Sequence, residues 1–196
     1  EIRAAQRRLR ESALRRIAPG VVTSLSEENW PALIARERIR LLAALYPKAV
    51  IGPRSAFHGG GPVEGVMYLT YTYTKRVELP GLTVQLLDGH GPAQGDAPMM
   101  GRELYFPSTP RVLLENLAVS RGKVKKSVGR AAVEQRLIET CEARGEDALN
   151  NIRDQARALA PTLGLERELD ILDTLIGGIL GTREAEMSTA VGKAMT

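Results

Sequence analysis

One cysteine, two histidines and an aromatic share of only 4% mark this 196-residue sequence by what it lacks. With Cys141 as the single thiol, an internal disulfide is impossible and a metal site built on paired thiolates is excluded. That usage fits a reducing compartment, and a cytoplasmic location is expected. His58 and His90 are the only histidines, so ordinary general bases are scarce. No apolar run approaches the roughly 20 residues needed to span a bilayer. The arginine-rich start lacks the apolar stretch of a secretory signal, and no membrane partner is expected. With so few aromatics, Leu, Val, Ile and Ala must fill the interior.

Charge is plentiful but its sum says little: the formal net charge is +4. Placement says more. Arg3, Arg7, Arg8, Arg10, Arg15 and Arg16 meet only Glu1 and Glu11 in the first sixteen residues, and Arg121, Lys123, Lys125, Lys126 and Arg130 form a second run without an acid. Such clusters attract polyanions, although each also describes a solvated surface. On a helix Arg3, Arg7 and Arg10 fall three or four residues apart and share one face, presenting guanidinium groups to phosphates or guanine edges. The candidate nucleic-acid-binding residues are therefore Arg3, Arg7, Arg8, Arg10, Arg15 and Arg16, with Lys123, Lys125 and Lys126 as a second phosphate contact. The second run has no interleaved aromatic on which bases could stack, and a solvated loop is its plainer reading.

The pattern along the chain predicts an α+β protein. A helix-favouring opening leads into residues 15–23, where Pro19-Gly20 separates two β-prone runs as in a tight hairpin. A basic helix followed by a hairpin is the order of a winged-helix recognition helix and wing. Glu1 is not methionine and lies inside the helical pattern, so the earlier helices of such a motif are expected upstream. Ser26 begins a second helix carrying Leu33, Ile34, Leu41 and Leu42. Residues 49–51, 66–73, 82–87 and 103–106 read as strands, the second and third paired, with an exposed Gly/Pro-rich loop over 88–101. A helix starts at Ser108 with Pro110 in its first turn, and the remainder has helical apolar spacing up to Gly181. The expected organisation is a truncated winged-helix element over 1–25, an α/β core with a small mixed sheet and flanking helices over 26–120, a helical subdomain over 121–181, and a tail or linker over 182–196.

Catalytic constellations are thin. His58 borders a glycine loop and has Ser55 nearby; His90 shares a loop with Asp88 and Asp96, which also form a weak metal-ligand set. A surface loop histidine accounts for either. Gly59-Gly60-Gly61 is not followed by Gly-Lys-Ser/Thr, and a strand rather than a helix comes next, so a phosphate loop fails. Cys141 reads as a structural thiol. No catalytic residue, metal site or cofactor is assigned, and an independent enzyme is the least favoured reading.

Residues 14–23, LRRIAPGVVT, resemble the wing of AbiEi-type antitoxin domains, and Val50 to Ala56, VIGPRSA, resemble the block that follows it there. Residues 78–84 (ELPGLTV), 89–92 (GHGP), 110–117 (PRVLLENL), 129–134 (GRAAVE), 149–156 (LNNIRDQA) and 172–176 (LDTLI) are similar to the N-terminal half of a group of bacterial Fic-family proteins. The resemblance covers nearly the whole chain. It implies a noncatalytic regulatory region, with DNA as partner through the winged helix and transcriptional regulation as its role, as in antitoxins that repress their own operons. It also allows an interaction or autoregulatory module for a Fic catalytic domain that transfers AMP, or for another protein. The family's catalytic loop HPFxxGNGR is absent from this chain. Its inhibitory motif has Ser or Thr four residues before Glu; here Glu115-Asn116 has Arg111 at that position, so no Fic active-site residue can be carried over.

Overall fold

The computed structural model describes residues 14–120 and 124–194, with side chains through Arg183. The chain forms two compact units. One comprises the residues through Pro92 together with Asp96–Phe106; the other comprises Ala93–Gly95 and the residues from Pro107 onward.

The first unit is α/β. Strands β1 (Arg15–Ala18) and β2 (Val21–Thr23) make the expected hairpin. Pro19 presets the backbone for the first central position of its turn. Gly20, at φ +77°, supplies the left-handed conformation required at the second. Arg15 pairs with Thr23 and Arg16 with Val22, while a register shift between Arg16 and Ala18 leaves Ile17 as the extra residue of a bulge. Helix α1 (Trp30–Leu45) follows one 3-10 turn, Glu27–Asn29. It begins four residues after the expected start because Ser26 makes no side-chain cap to the backbone and Pro31 occupies the first turn, where a missing N–H costs nothing.

A six-stranded mixed sheet supplies the core. Its strands are β3 (Ala49–Ile51), β4 (Val66–Tyr71), β5 (Lys75–Leu79), β6 (Leu82–Asp88), β7 (Ala97–Pro98) and β8 (Leu104–Phe106). The spatial order is β5-β6-β4-β3-β8-β7. The expected pairing of the second and third strand runs exists, as a parallel ladder from Val66 opposite Thr83 to Tyr71 opposite Asp88. What makes it parallel is β5, which pairs antiparallel with β6 across the Pro80-Gly81 turn and carries the chain back. Central strands bury both faces, and Val50, Ile51, Met67, Leu69, Val84, Leu86 and Leu104 are wholly enclosed, as an aliphatic composition requires. The short helix α2 (Pro53–Phe57) packs on β4, and the buried Ser55 hydroxyl accepts the Tyr68 amide at 3.0 Å.

The second unit is helical: α3 (Thr109–Leu117), α4 (Arg130–Arg144), α5 (Glu146–Leu163) and α6 (Glu166–Ala194). Helix α3 packs against the three later helices, so it belongs with them and not with the α/β core in which the sequence pattern placed it. Along α5, Leu149, Ile152, Ala156, Leu159 and Leu163 form one buried stripe at helical spacing. Helix α6 stays helical through Ala194, where Ala, Glu and Met are strong helix formers.

The buried interior of α3 is unusually polar. Arg111 is fully enclosed and its Nε donates to Glu115 Oε1 at 2.8 Å, one helical turn away. Asn116 is equally enclosed; its amide nitrogen donates to the Val112 carbonyl at 2.7 Å and its carbonyl oxygen accepts the Val128 amide at 3.0 Å. Charge-assisted hydrogen bonds of this kind contribute about 1.5–3 kcal/mol.

Candidate nucleic-acid interface

The sequence-predicted basic residues divide into three sets. Arg3, Arg7, Arg8, Arg10 and Lys123 lie outside the described residues. Arg15 and Arg16 stand exposed on β1. Lys125 is exposed and Lys126 half-buried on the connection between α3 and α4.

The hairpin positions its arginines through its apolar residues. Ile17 and Val21 face α1 and, with Leu33, Ile34 and Leu41, line a small cavity of about 260 Å³ rimmed by Glu37 and Arg40. Ile17 and Val21 are half-buried on this side, whereas Arg15 and Arg16 are exposed. No acid occurs anywhere in the hairpin, so neither guanidinium is neutralised by its own element.

Helix α1 adds Arg36, Arg38 and Arg40, cations whose role the apolar periodicity of this helix did not reveal. Their signal in the sequence is the alternation Arg36-Glu37-Arg38-Ile39-Arg40, which places Arg36 and Arg40 one turn apart on a single face. Glu37 is the only acid of α1; it meets Arg36 at 3.0 Å and Arg40 at 3.3 Å. The Arg36 hydrogen bond, with help from Arg40, holds its carboxyl below the usual carboxylate range. Hairpin and helix together thus carry five arginines against one carboxylate, an arrangement suited to phosphates.

The second basic run is a tethered connection. The Ser120 hydroxyl accepts the amides of Lys126 at 2.9 Å and Ser127 at 3.1 Å, and the Ser127 hydroxyl donates to the Ala118 carbonyl at 2.7 Å. Asn116 holds Val128, and the Gly129 amide reaches the Asn116 carbonyl at 3.2 Å. The lysine side chains are therefore displayed from a backbone anchored by short polar side chains.

The other chemistry-bearing residues are structural by their contacts. The fully buried Ser55 hydroxyl accepts the Tyr68 amide, whereas His58 caps α2 in solvent with its ring edge-on to Phe57 at 5.7 Å. Gly60 packs under Phe106: a Cβ there would lie 2.8 Å from the ring. Cys141 is buried and receives Arg183 Nη1 at 3.1 Å on both its sulfur and its carbonyl oxygen. Among the described residues no group of three or more His, Cys, Asp or Glu is placed to hold a metal ion. None of the described helices is long and apolar enough to cross a membrane.

No protein-family model, curated protein or solved structure matches this chain.

Proposed function

We propose that this protein is a noncatalytic cytoplasmic regulatory module that contacts duplex DNA through its basic N-terminal segment and the β1–β2 hairpin. The observation that carries the reading is the acid-free hairpin, whose Ile17 and Val21 turn towards α1 while Arg15 and Arg16 stay in solvent. In this reading the wing-like hairpin lies along the phosphate backbone, Arg36 and Arg40 of α1 extend the cationic surface, and Arg3, Arg7 and Arg10 read the groove. The resemblance of residues 14–23 to the wing of AbiEi-type antitoxins supports the same assignment.

The test is a salt titration of binding to duplex DNA. Affinity should fall linearly with salt on logarithmic axes, with a slope of about −0.9 for each phosphate neutralised. Changing Arg3, Arg7 and Arg10 to Ala should weaken binding and flatten the slope. Equal binding by parent and variant, or no salt dependence, would overturn the proposal.

A further inference from the structure

An open groove of about 660 Å³ lies between α4 and α6 of the helical unit. One wall is a stripe of α4 at successive one-turn intervals: Arg130, Glu134, Ile138 and Glu142. Among the described residues none of these three charged side chains has an ion-pair partner. The other wall is α6, where Thr174, Gly178 and Thr182 follow at the same spacing. Both threonine hydroxyls donate back into their own helix, Thr174 to the Asp170 carbonyl at 2.8 Å and Thr182 to the Gly178 carbonyl at 2.9 Å. Their protons are committed there, and with Leu175, Gly178 and Ile179 this wall is mostly apolar, with Arg183 at its end. A Cβ added at Gly177, Gly178 or Gly181 would meet nothing within 4 Å, so these glycines are not explained by packing within the chain.

We propose that this groove is the interface of a two-fold homodimer, with α4 and α6 of a second copy laid antiparallel across it. Charge order selects that occupant. Arg130 and Glu142 stand twelve residues apart, about 18 Å along the helix. A two-fold axis level with residue 136 brings Arg130 of each copy opposite Glu142 of the other. It sets Glu134 level with Ile138 of the second copy, about a turn from Cys141, where Arg183 is held. Each contact occurs twice, as an isologous interface requires. The open space beside Gly178 leaves room on α6 for a side chain of the second copy. A small anion is poorly served, because Glu134 and Glu142 line the same groove as the two arginines.

Sedimentation equilibrium of the full chain without DNA tests this. The parent should form a reversible dimer. Arg130→Glu and Glu142→Arg should each weaken it about tenfold or more by placing like charges together, and the double reversal should restore it to within about threefold of the parent. Gly178→Leu, which fills the groove, should give monomer while circular dichroism keeps its helical signal. A parent that is monomeric at high concentration, a dimer indifferent to every substitution, or single reversals that the double variant does not rescue would each overturn the proposal.

Discussion

Two basic runs that look alike in the sequence are held by opposite means. Arg15 and Arg16 sit on a two-stranded hairpin fixed by a tight turn and by two aliphatic side chains against α1. Lys125 and Lys126 sit on a connection with no regular structure, yet Ser120, Ser127 and Asn116 anchor its backbone, and Asn116 stands on a helix braced by the Arg111–Glu115 pair. The first run is positioned from outside by apolar contact. The second depends on buried polar groups that tolerate no vacancy. Composition cannot separate the two cases, because the anchoring residues are not the charged ones.

The strongest way to break this comparison is at Arg111. Arg111→Ala empties a fully enclosed site and removes the Nε hydrogen bond to the half-buried Glu115, and should destabilise the helical unit by about 3 kcal/mol in equilibrium denaturation, with hydrogen exchange accelerating through residues 124–129. The hairpin amides should be unaffected, and equal acceleration there would show that the two runs are not separately held. Asn116→Ala should cost about 1–3 kcal/mol, since it removes the acceptor of the Val128 amide, and should release the same connection without the full loss seen at Arg111.

Function sharpens the contrast. Replacing Arg15 and Arg16 together by Ala should reduce DNA affinity roughly tenfold and lower the salt slope by about 2, whereas the same change at Lys125 and Lys126 should have a smaller effect. If the lysine pair matters more, the DNA-contacting surface belongs to the helical unit. The smallest effect concerns Tyr46, whose burial, aided by Tyr71 and Tyr73, raises its pKa above the ordinary 10.0. Its ring lies 5.7 Å from that of Tyr71 in an edge-on contact. A raised value in the folded state favours the neutral phenol. Its stabilising contribution is complete below pH 10 and is lost as pH rises through the folded-state value. Ultraviolet titration should show a tyrosine ionising late, and Tyr46→Phe should remove that component along with its share of the alkaline loss of stability.

Much of the local structure was legible. Pro19-Gly20 marks the hairpin, Pro110 the start of α3, and the spacing of Leu149, Ile152, Ala156 and Leu159 the buried face of α5. Strand β5 was not, because Lys75-Arg76-Val77-Glu78-Leu79 is an edge strand that buries only Leu79 and so lacks a hydrophobic signature. The arginines of α1 were hidden by the apolar face on the same helix. Arg111 stood out only as a departure from a regulatory motif, and its role as a buried brace appears once the neighbouring helices enclose it.

The sequence by itself determined turns, helix periods, an aliphatic core and the clustering of positive charge, because each depends on residues within a few positions of one another. The parallel alignment of β4 with β6, the burial of Arg111 and the exposure of Arg15 and Arg16 were decided only in the tertiary structure. In each case the deciding contacts join residues far apart in the chain, and which distant groups supply them is not written in local spacing.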